Sequence, residues 1–338
     1  MFKKYLNKII NSENLTTEEI AYIIDRILTN QCTNSQIGAF MAALASKGET
    51  FEEIAGAAIA MRRKAYKIQV FGSTVVDTAG TGGDSSNTFN ISTTTAFVTA
   101  GCGVTVAKHG NRSVSSKCGS ADALEALGVK IDTQPEIAEE AINEIGIGFL
   151  FAPLYHSAMK YAAEARKEVG IKSIFNMLGP LTNPASANCQ LIGVYALHLT
   201  EIFANVLKIL GSKKALVVCG HDGLDEITVC NLTRISELEN DEIKTYDINP
   251  ENYFEKLALP QSLKGGDAKF NAKITKDILA GKKGDKRNII LINTAAALIV
   301  AGKADSYQTG IKIAEKSIDT GAAKDKLERL IKFTCENG

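Results

Sequence analysis

Residues 77–93 read DTAGTGGDSSNTFNIST, a stretch in which three glycines precede a run of small hydroxyl and amide side chains. Gly80, Gly82 and Gly83 allow positive φ angles and let successive backbone amides converge on one point. A strand end comes before this turn and a helix begins after it near Thr93, so the free amides and the helix dipole both attract an anion. The stretch therefore predicts a phosphate-binding loop, with an ordinary glycine turn as the alternative.

The end of this stretch adds side-chain donors where the helix starts. Asn90, Ser92, Thr93 and Thr94 all carry hydroxyl or amide groups, although Ser92 or Thr93 would also serve simply as the helix cap. No Gly-Lys-Ser/Thr follows the glycines, and their spacing is not G-x-G-x-x-G. The predicted anion loop is therefore neither a Walker loop nor a dinucleotide-binding turn.

A second polar cluster, KHGNRSVSSK at 108–117, follows the predicted strand GVTVA and precedes the predicted helix SADALEALG. It lies at the carboxyl end of a neighbouring strand, which is where open α/β sheets bind ligands. Two lysines, one arginine and three serines in ten residues suit a phosphate monoester, and Gly119 and Ser120 add another helix N-terminus. A solvated basic loop is the alternative.

A third feature carries the opposite charge. The segment GHDGLDE at 220–226 ends the apolar run KALVVC. Asp225 and Glu226 offer the oxygen ligands by which magnesium is held beside phosphates, whereas Asp222 is a weaker candidate because Asp-Gly also serves turns. Adjacent acidic pairs are common on surfaces, so the metal site is predicted because two anion-binding loops are predicted beside it.

One arginine stands out on a helical segment. Arg166 lies in MKYAAEARKEVG, where an arginine usually faces solvent, but in a cleft its planar guanidinium would bind a carboxylate with two parallel hydrogen bonds. No Ser-His-Asp set or paired general acid and base is evident, and His109 and His156 are lone histidines, a type more often packed than catalytic. The residues favour chemistry that depends on positioning and charge stabilisation.

Two kinds of element must position these residues. The first seventy residues are predicted to be helical, and three pairs have capping-box spacing: Thr16/Glu19, Thr33/Gln36 and Thr50/Glu53. From residue 75 onward short β-rich runs alternate with helical patterns, which is typical of a mostly parallel sheet covered by helices. The pattern also predicts one long helix over 155–169, a hairpin within 226–248 and four helical segments after Asp267.

We therefore expect an α/β fold with a small helical N-terminal domain and a larger α/β domain around a central, mostly parallel sheet. The helix over 155–169 and the Gly/Pro-containing segment Ile174–Ala187 interrupt the alternation, and we assign them to the helical domain. The predicted division is a discontinuous helical domain, 1–70 with 155–187, and an α/β domain, 71–154 with 188–338.

Composition excludes several classes of function. The chain has 338 residues, is 45% hydrophobic, and has a formal net charge of zero, so no overall field favours nucleic acid or an anionic membrane. Seven scattered cysteines without a C-x-x-C pair disfavour a disulfide framework or a zinc knuckle. No signal peptide or membrane span is predicted. We expect a soluble cytoplasmic protein that binds neither nucleic acid nor membrane.

Together these motifs resemble the anthranilate phosphoribosyltransferases, which join phosphoribosyl pyrophosphate to anthranilate. The resemblance runs essentially end to end and is carried by five stretches: GTGGD (80–84), NIST (90–93), KHGNRSVSSKCGSADALEALG (108–128), ARKEVGIKSIFNMLGPLTNPA (165–185) and GLDE (223–226). It implies a nucleoside phosphorylase/phosphoribosyltransferase-like fold, a homodimer formed through the helical domain, and magnesium-dependent catalysis of the second step of tryptophan synthesis from chorismate.

The resemblance also implies roles for individual residues. Phosphoribosyl pyrophosphate would be bound by Gly80, Gly83, Asp84, Thr88, Asn90, Ile91, Ser92, Thr93, Lys108, Asn111, Arg112, Ser113, Ser115, Ser116 and Ser120. Anthranilate would be bound by Gly80, His109, Asn111, Arg166, Gly179 and Pro180, of which Arg166, Asn111 and His109 would be catalytic. Two magnesium ions per monomer would be bound by Ser92, Asp225 and Glu226.

Two departures and two rival functions accompany this resemblance. Cys118 and Cys219 stand where the family often has other residues, but neither is at a predicted charge contact. A pyrimidine nucleoside phosphorylase would share the fold and a KHGNR-like loop without needing the acidic pair. A non-catalytic nucleotide- or nucleic-acid-binding relative would show a basic excess and would lose residues such as Arg166.

Overall fold

The computed structural model describes residues 1–113 and 117–338. Within these residues the strands are β1 (Val75–Gly80), β2 (Thr105–Gly110), β3 (Ile147–Phe151), β4 (Cys189–Gly193), β5 (Lys214–Gly220), β6 (Thr233–Glu239) and β7 (Glu242–Ile248). The helices are α1 (Phe2–Ile10), α2 (Thr17–Leu28), α3 (Asn34–Lys47), α4 (Phe51–Lys64), α5 (Ile91–Gly101), α6 (Ser120–Leu127), α7 (Pro135–Ile145), α8 (Ala152–Tyr155), α9 (Lys160–Val169), α10 (Ile174–Met177), α11 (Leu199–Ile209), α12 (Ala268–Leu279), α13 (Asp285–Val300), α14 (Tyr307–Asp319) and α15 (Ala322–Asn337).

The strands form one sheet in the order β3-β2-β1-β4-β5-β6-β7. Strands β1 to β5 are parallel to one another, whereas β6 and β7 add an antiparallel edge. The predicted hairpin is confirmed for Thr233–Ile248, but 226–232 precedes it as a loop. Because β2 and β3 lie on one side of β1 and β4 and β5 on the other, a crevice is expected at the carboxyl ends of β1 and β4.

Both faces of the sheet are covered, which explains the continuous apolar runs of its inner strands. In β5, Leu216 and Val218 belong to the core shared with α5 and α13, whereas Val217 and Cys219 belong to the core shared with α11 and the N-terminal helices. Successive side chains of a strand point to opposite faces, so one strand contributes to both cores.

The N-terminal helices begin at the capping boxes expected from the sequence. In α2 the Thr16 hydroxyl accepts from the Glu19 amide at 3.3 Å, and the Glu19 carboxylate accepts from the Thr16 amide at 3.2 Å. The boxes at Thr33/Gln36 and Thr50/Glu53 form in the same reciprocal way. All three predicted helix starts are confirmed, because each depends only on partners three residues apart.

The prediction of one long helix over 155–169 is wrong. Helix α8 ends at Tyr155, His156 leaves the helical region with φ −119° and ψ 47°, and a 3-10 turn at Ser157–Met159 leads into α9 at Lys160. Helices α9 and α10 then pack on α3.

The expected fold class is confirmed: a small helical N-terminal unit joins a larger α/β unit with a mostly parallel sheet. The four helices predicted after Asp267 are present as α12 to α15. None of the helices in residues 1–113 and 117–338 is both long enough and apolar enough to span a membrane.

Candidate active site

Two neighbouring strands both end in glycine at the point where the strand order reverses. Gly80 of β1 pairs with Gly193 of β4. A Cβ on Gly193 would lie 1.5 Å from the backbone carbonyl oxygen of Asp225, and a Cβ on Gly80 would lie 2.7 Å from Asp225 Oδ2. Glycine at both strand ends therefore allows the acidic loop 220–226 to lie directly over the crevice.

This geometry corrects one prediction about the glycine-rich stretch. Gly80 was expected to supply a positive φ, but it is the last residue of β1, and the positive φ angles occur at Gly82 (63°) and Gly83 (76°). The Gly82 amide donates to Asp225 Oδ2 at 2.8 Å, and Lys172 Nζ donates to the Gly83 carbonyl at 2.7 Å. The Gly82 amide thus already binds a carboxylate oxygen, as expected of an anion-binding turn.

Asp84 and Thr88 continue this loop toward α5. The Ser86 amide donates to Asp84 Oδ1 at 3.2 Å, and Asp84 Oδ2 is buried with no hydrogen-bond partner in the described part of the chain. Thr88 forms an isolated β-bridge with Lys264, which fixes the loop against the segment before α12. Asp84 therefore lies beside the acidic loop, where its charge acts on Asp225, while Thr88 lies against Lys264.

The first turn of α5 lies directly after this loop, but its cap differs from the predicted one. The helix begins at Ile91 with Asn90 as N-cap, but Asn90 makes no side-chain cap bond because its Oδ1 accepts from Asn271 Nδ2 at 3.0 Å and its Nδ2 donates to the Cys118 carbonyl at 3.3 Å. Neither Ser92 nor Thr93 is the cap. Thr93 Oγ1 is buried with no partner among residues 1–113 and 117–338. The helix start therefore keeps one hydroxyl donor that no group in the described residues uses.

A buried lysine lies among acidic side chains under the loop. Lys108, 4% exposed, donates from Nζ to the Thr78 carbonyl and to Ser92 Oγ, the latter at 3.2 Å. Burial lowers the pKa of Lys108, opposed by the charges of Asp77, Glu226 and Asp225. Burial, reinforced by the charge of Asp84, raises the pKa of Asp225 to about 7.

These groups fit a magnesium ion completed by substrate. Burial and the charge of Asp225 raise the pKa of Glu226 well above its usual value, and Glu226 accepts from the Ser92 amide, so the three predicted metal residues are neighbours. In the described residues no three His, Cys, Asp or Glu side chains converge closely enough to hold a metal alone. Magnesium is commonly bound by one or two carboxylates plus substrate phosphates, so the donor set fits that arrangement.

In the loop after β2, several groups predicted to bind phosphate are bonded to other protein groups. Arg112 donates to Asp122 at 2.9 Å and to Glu125 at 2.5 Å, which raises the pKa of Arg112, so this guanidinium is paired with α6. The Ser113 amide donates to Asp122 at 3.3 Å, and Ser120 Oγ donates to the Asn111 carbonyl at 3.2 Å. The predicted residues Ser115 and Ser116 lie outside the described residues.

Beside the crevice is a cleft of about 370 Å³ lined by four of the six residues predicted for the acceptor: His109, Asn111, Arg166 and Gly179. Gly80 is not among its lining residues in the described chain, and Pro180 is buried behind Gly179. Met61, Met159 and Phe175 contribute apolar surface. The cleft combines an apolar wall with polar groups, as small-ligand sites do.

The arginine in this cleft has no carboxylate partner within the described residues. Arg166 is half-buried, its guanidinium lies 5.6 Å from the ring centroid of Phe175, and burial lowers its pKa. Arg112 forms salt bridges with two carboxylates, whereas no carboxylate in the described part of the chain pairs with Arg166. A stacked, desolvated guanidinium of this kind binds a planar carboxylate well.

Two neutral histidines also line the cleft. His109 Nδ1 lies 3.0 Å from the Gly179 carbonyl oxygen, and because a carbonyl only accepts, Nδ1 carries the proton. The His109 and His156 rings lie 5.1 Å apart. Burial lowers the pKa of His109 to about 3 and of His156 to about 4. Neither imidazole is charged at neutral pH, so the positive charge of the cleft comes from Arg166 and from the exposed Lys160.

Acidification is expected to destabilise the protein partly through His156. An unfolded histidine takes up a proton below about pH 6.5, whereas folded His156 stays neutral until about pH 4, so stability is lost as pH falls between these values. His156→Gln should show a smaller fall in Tm between pH 7 and 5 than the wild type, measured by calorimetry. Exposed His198→Gln is the control, and equal slopes for His156→Gln and wild type would contradict the assignment.

Four site residues were missed from the sequence. Asp77 and Asn183 are buried beneath the cleft, Gly193 lies under the acidic loop, and Lys172 contacts the glycine turn. An aspartate inside the apolar run STVVDTAG was the one visible signal, because a charged residue in a buried strand needs partners. Nothing local distinguished the other three.

Comparison with known proteins identifies the family of the chain. Residues 3–65 match the helical bundle domain of a glycosyl transferase family, and residues 72–324 match its α/β domain. An anthranilate phosphoribosyltransferase of Desulfosudis oleivorans is 62% identical over 339 residues, covering all of both chains.

Solved structures show the same fold over nearly the whole chain. The anthranilate phosphoribosyltransferase of Thermus thermophilus has a TM-score of 0.92 at 37% identity and covers 98% of this chain and 99% of its own. The Saccharomyces cerevisiae enzyme in complex with PRPP and Mg has a TM-score of 0.91, and in complex with 4-fluoroanthranilate 0.89, each at 28% identity and covering 99% of this chain and 98% of its own. The chain therefore belongs to the anthranilate phosphoribosyltransferases, an enzyme family of the glycosyl transferases.

Proposed function

We propose that this protein transfers the phosphoribosyl group of 5-phosphoribosyl 1-pyrophosphate to the amine of anthranilate, releasing pyrophosphate in a magnesium-dependent reaction. The observation that carries the proposal is that two complementary sites lie side by side at the carboxyl ends of the central strands. Anion-binding amides and carboxylates surround Gly82 and Asp225, and the adjacent cleft presents Arg166 without a protein carboxylate among the described residues.

The donor substrate would lie along the glycine loop and the start of α5. We assign the pyrophosphate to the glycine turn at Gly82 and Gly83 and to the first turn of α5, where the helix dipole attracts an anion, with the Gly82 amide requiring release from Asp225. Lys108 would place its positive charge beneath the phosphates, since its ammonium already contacts Ser92. The remaining donor contacts follow the assignment from the sequence, with Arg112 requiring release from α6.

Magnesium would be held by Asp225, Glu226 and Ser92 together with phosphate oxygens, and we propose two ions per monomer. When bound, magnesium would stabilise negative charge on the departing pyrophosphate. Its residues fit this role because Asp225 and Glu226 are crowded, partly buried and close to the ammonium of Lys108.

The acceptor would enter the cleft with its carboxylate on Arg166 and its ring against the apolar wall. The C1–oxygen bond to pyrophosphate breaks, and the anthranilate nitrogen forms a bond to C1 and releases a proton. His109 and Asn111 border this position, with His109 held by Gly179 in its Nδ1-protonated form. Positioning of the amine and stabilisation of the leaving charge would supply most of the acceleration.

The direct test is the loss of anthranilate fluorescence when purified protein is mixed with phosphoribosyl pyrophosphate and magnesium. We expect a fall that stops when the metal is chelated. A flat trace with magnesium, while phosphoribosyl pyrophosphate is shown to bind by calorimetry, would contradict anthranilate as the acceptor and leave the anion site standing.

Arg166→Ala is expected to raise the KM for anthranilate about 100-fold, because two hydrogen bonds to a charged group are lost. The KM for phosphoribosyl pyrophosphate should stay within twofold of wild type, as measured by steady-state kinetics. Lys167→Ala, which removes an exposed positive charge from the same helix, is the matched control. An unchanged anthranilate KM in Arg166→Ala would show that the carboxylate binds elsewhere.

We further propose that the protein is a cytoplasmic homodimer acting in the second step of tryptophan synthesis from chorismate. We keep the division into a helical domain, 1–70 with 155–187, and an α/β domain, 71–154 with 188–338; the packing of α9 and α10 on α3 supports placing 155–187 with the helices. The dimer contact is assigned to the helical domain from the resemblance. Light scattering after size exclusion would show a monomer mass if the dimer assignment is wrong.

A further inference from the structure

A buried carboxylate without a role in the donor or acceptor contacts lies beneath the cleft. Asp77 on β1 is 1% exposed and faces N–H donors on three sides. The His109 amide donates to Oδ1 at 3.2 Å, Asn183 Nδ2 donates to Oδ2 at 2.7 Å, and the Thr78 amide donates as well. Asp77 is not one of the residues lining the cleft in the described chain.

Asn183 extends this contact to two further backbone segments. Its Nδ2 also donates to the Ala107 carbonyl of β2 at 2.7 Å, and its Oδ1 accepts from the Ala185 amide at 2.9 Å. Asn183 is 3% exposed and directly follows Thr182. Asp77 and Asn183 therefore join β1, β2 and the loop after the 3-10 turn Gly179–Leu181 into one buried unit.

The two segments joined in this way are adjoining walls of the acceptor cleft. His109 is on β2, Gly179 begins the 3-10 turn and Thr182 follows it, and all three line the cleft. The hydrogen bond from His109 Nδ1 to the Gly179 carbonyl connects these walls at 3.0 Å above the buried unit. A shift at Asp77 would therefore change the spacing of both walls.

We propose that Asp77, acting through Asn183, is a positioning residue that holds the two walls of the acceptor cleft in register. This inference rests on the proposed function of the cleft. An ionised carboxylate accepts hydrogen bonds only and so matches donors on every side. An asparagine of the same shape would turn an NH₂ group toward one of these donors, and a buried donor without an acceptor is costly enough to displace a wall.

The test is the effect of Asp77→Asn on the two substrates separately. We expect the KM for anthranilate to rise about tenfold or more, because bonds to a charged acceptor are lost, while the KM for phosphoribosyl pyrophosphate rises by a clearly smaller factor, because the Asp77 charge also supports the ammonium of Lys108. Gln190→Met is the matched control: Gln190 is buried, pairs with Asp77 in register on β4, and bonds Ser212 rather than the cleft. The control should change neither KM.

A second variant and a second measurement keep the test decisive. Asn183→Ala removes one connection and carries the same expectation if Asp77→Asn does not fold. An anthranilate KM within twofold of wild type, or equal rises in both KM values, would overturn the proposal. If the wild type does not turn over anthranilate, the proposed function fails instead. ¹⁵N NMR of the four histidines then decides: an unshifted His109 Nδ1 resonance in Asp77→Asn would overturn the positioning role.

Discussion

Replacing Gly193 with alanine (Gly193→Ala) is expected to lower turnover at least about 100-fold, since misplacing reacting groups by about 1 Å costs that much. The added Cβ would lie 1.5 Å from the carbonyl oxygen of Asp225, and the obstructing atom is backbone rather than a flexible side chain. The acidic loop must therefore move, and Asp225 and Glu226 move with it. Steady-state kinetics over a magnesium titration would measure the loss.

The control for this substitution is Gly211→Ala. Gly211 has φ 78°, so alanine there is strained, but no heavy atom lies within 4 Å of its added Cβ. Gly211→Ala should lose some stability and keep its activity, which separates backbone strain from displacement of the acidic loop. Activity and magnesium response equal to Gly211→Ala would show that the loop does not depend on Gly193.

Glycine illustrates how far the site could be predicted from the sequence. The glycines in GTGGD indicated a turn. Only the three-dimensional structure shows that Gly82 and Gly83 have positive φ angles, while Gly80 allows the close approach of the Asp225 side chain. Gly193 serves the same close approach to Asp225 with no local signal at all. A positive φ and a close approach of other atoms both require glycine, so the residue type alone does not distinguish them. The close approach depends on residues that are distant in the sequence.

Helix boundaries show the same division between local and distant causes. The capping boxes at α2, α3 and α4 were predictable because both partners lie within one turn. The break at His156 was not, because its sequence is compatible with a helix. There His156 leaves the helix and its ring packs beside His109, a residue of β2. Long-range packing overrode local preference.

The sequence indicated candidate site residues, but it did not indicate their partners. Lys172 contacts the carbonyl of Gly83 across 89 positions, and Asp77 contacts Asn183 across 106. No periodicity or spacing links such residues, so the buried unit beneath the cleft became visible only with the fold. Arg112 is the reverse case: its motif indicated phosphate, whereas its guanidinium pairs with Asp122 and Glu125.

Replacing Asp225 with asparagine and Glu226 with glutamine together is expected to lower kcat/KM on the order of 1,000-fold, as loss of several kcal/mol of metal stabilisation would require. The wild-type rate should rise with magnesium, whereas the rate of the double variant should be flat, as measured by anthranilate fluorescence. Asp241→Asn with Glu242→Gln makes the same charge change at an exposed acidic pair where the turn after β6 enters β7. A wild-type magnesium response in the Asp225/Glu226 variant would remove the metal assignment.

The same variant is expected to be more stable than the wild type when magnesium is absent. Burial and the charge of Asp84 raise the folded-state pKa of Asp225 to about 7, whereas the ordinary pKa of an unfolded aspartate is 3.8. Between these values the folded chain keeps a proton that the unfolded chain releases, so rising pH favours unfolding, and above about pH 7 the full penalty is present.

Neutral amides at 225 and 226 do not carry this penalty. The double variant should therefore have a higher Tm than the wild type at pH 8 and no such advantage at pH 4, measured by calorimetry in a chelating buffer. Magnesium with phosphoribosyl pyrophosphate should reverse the order by stabilising only the wild type, because a ligand stabilises the form that binds it. Identical Tm values at pH 8 without metal would mean that burial and mutual repulsion of the two carboxylates do not destabilise the metal-free protein.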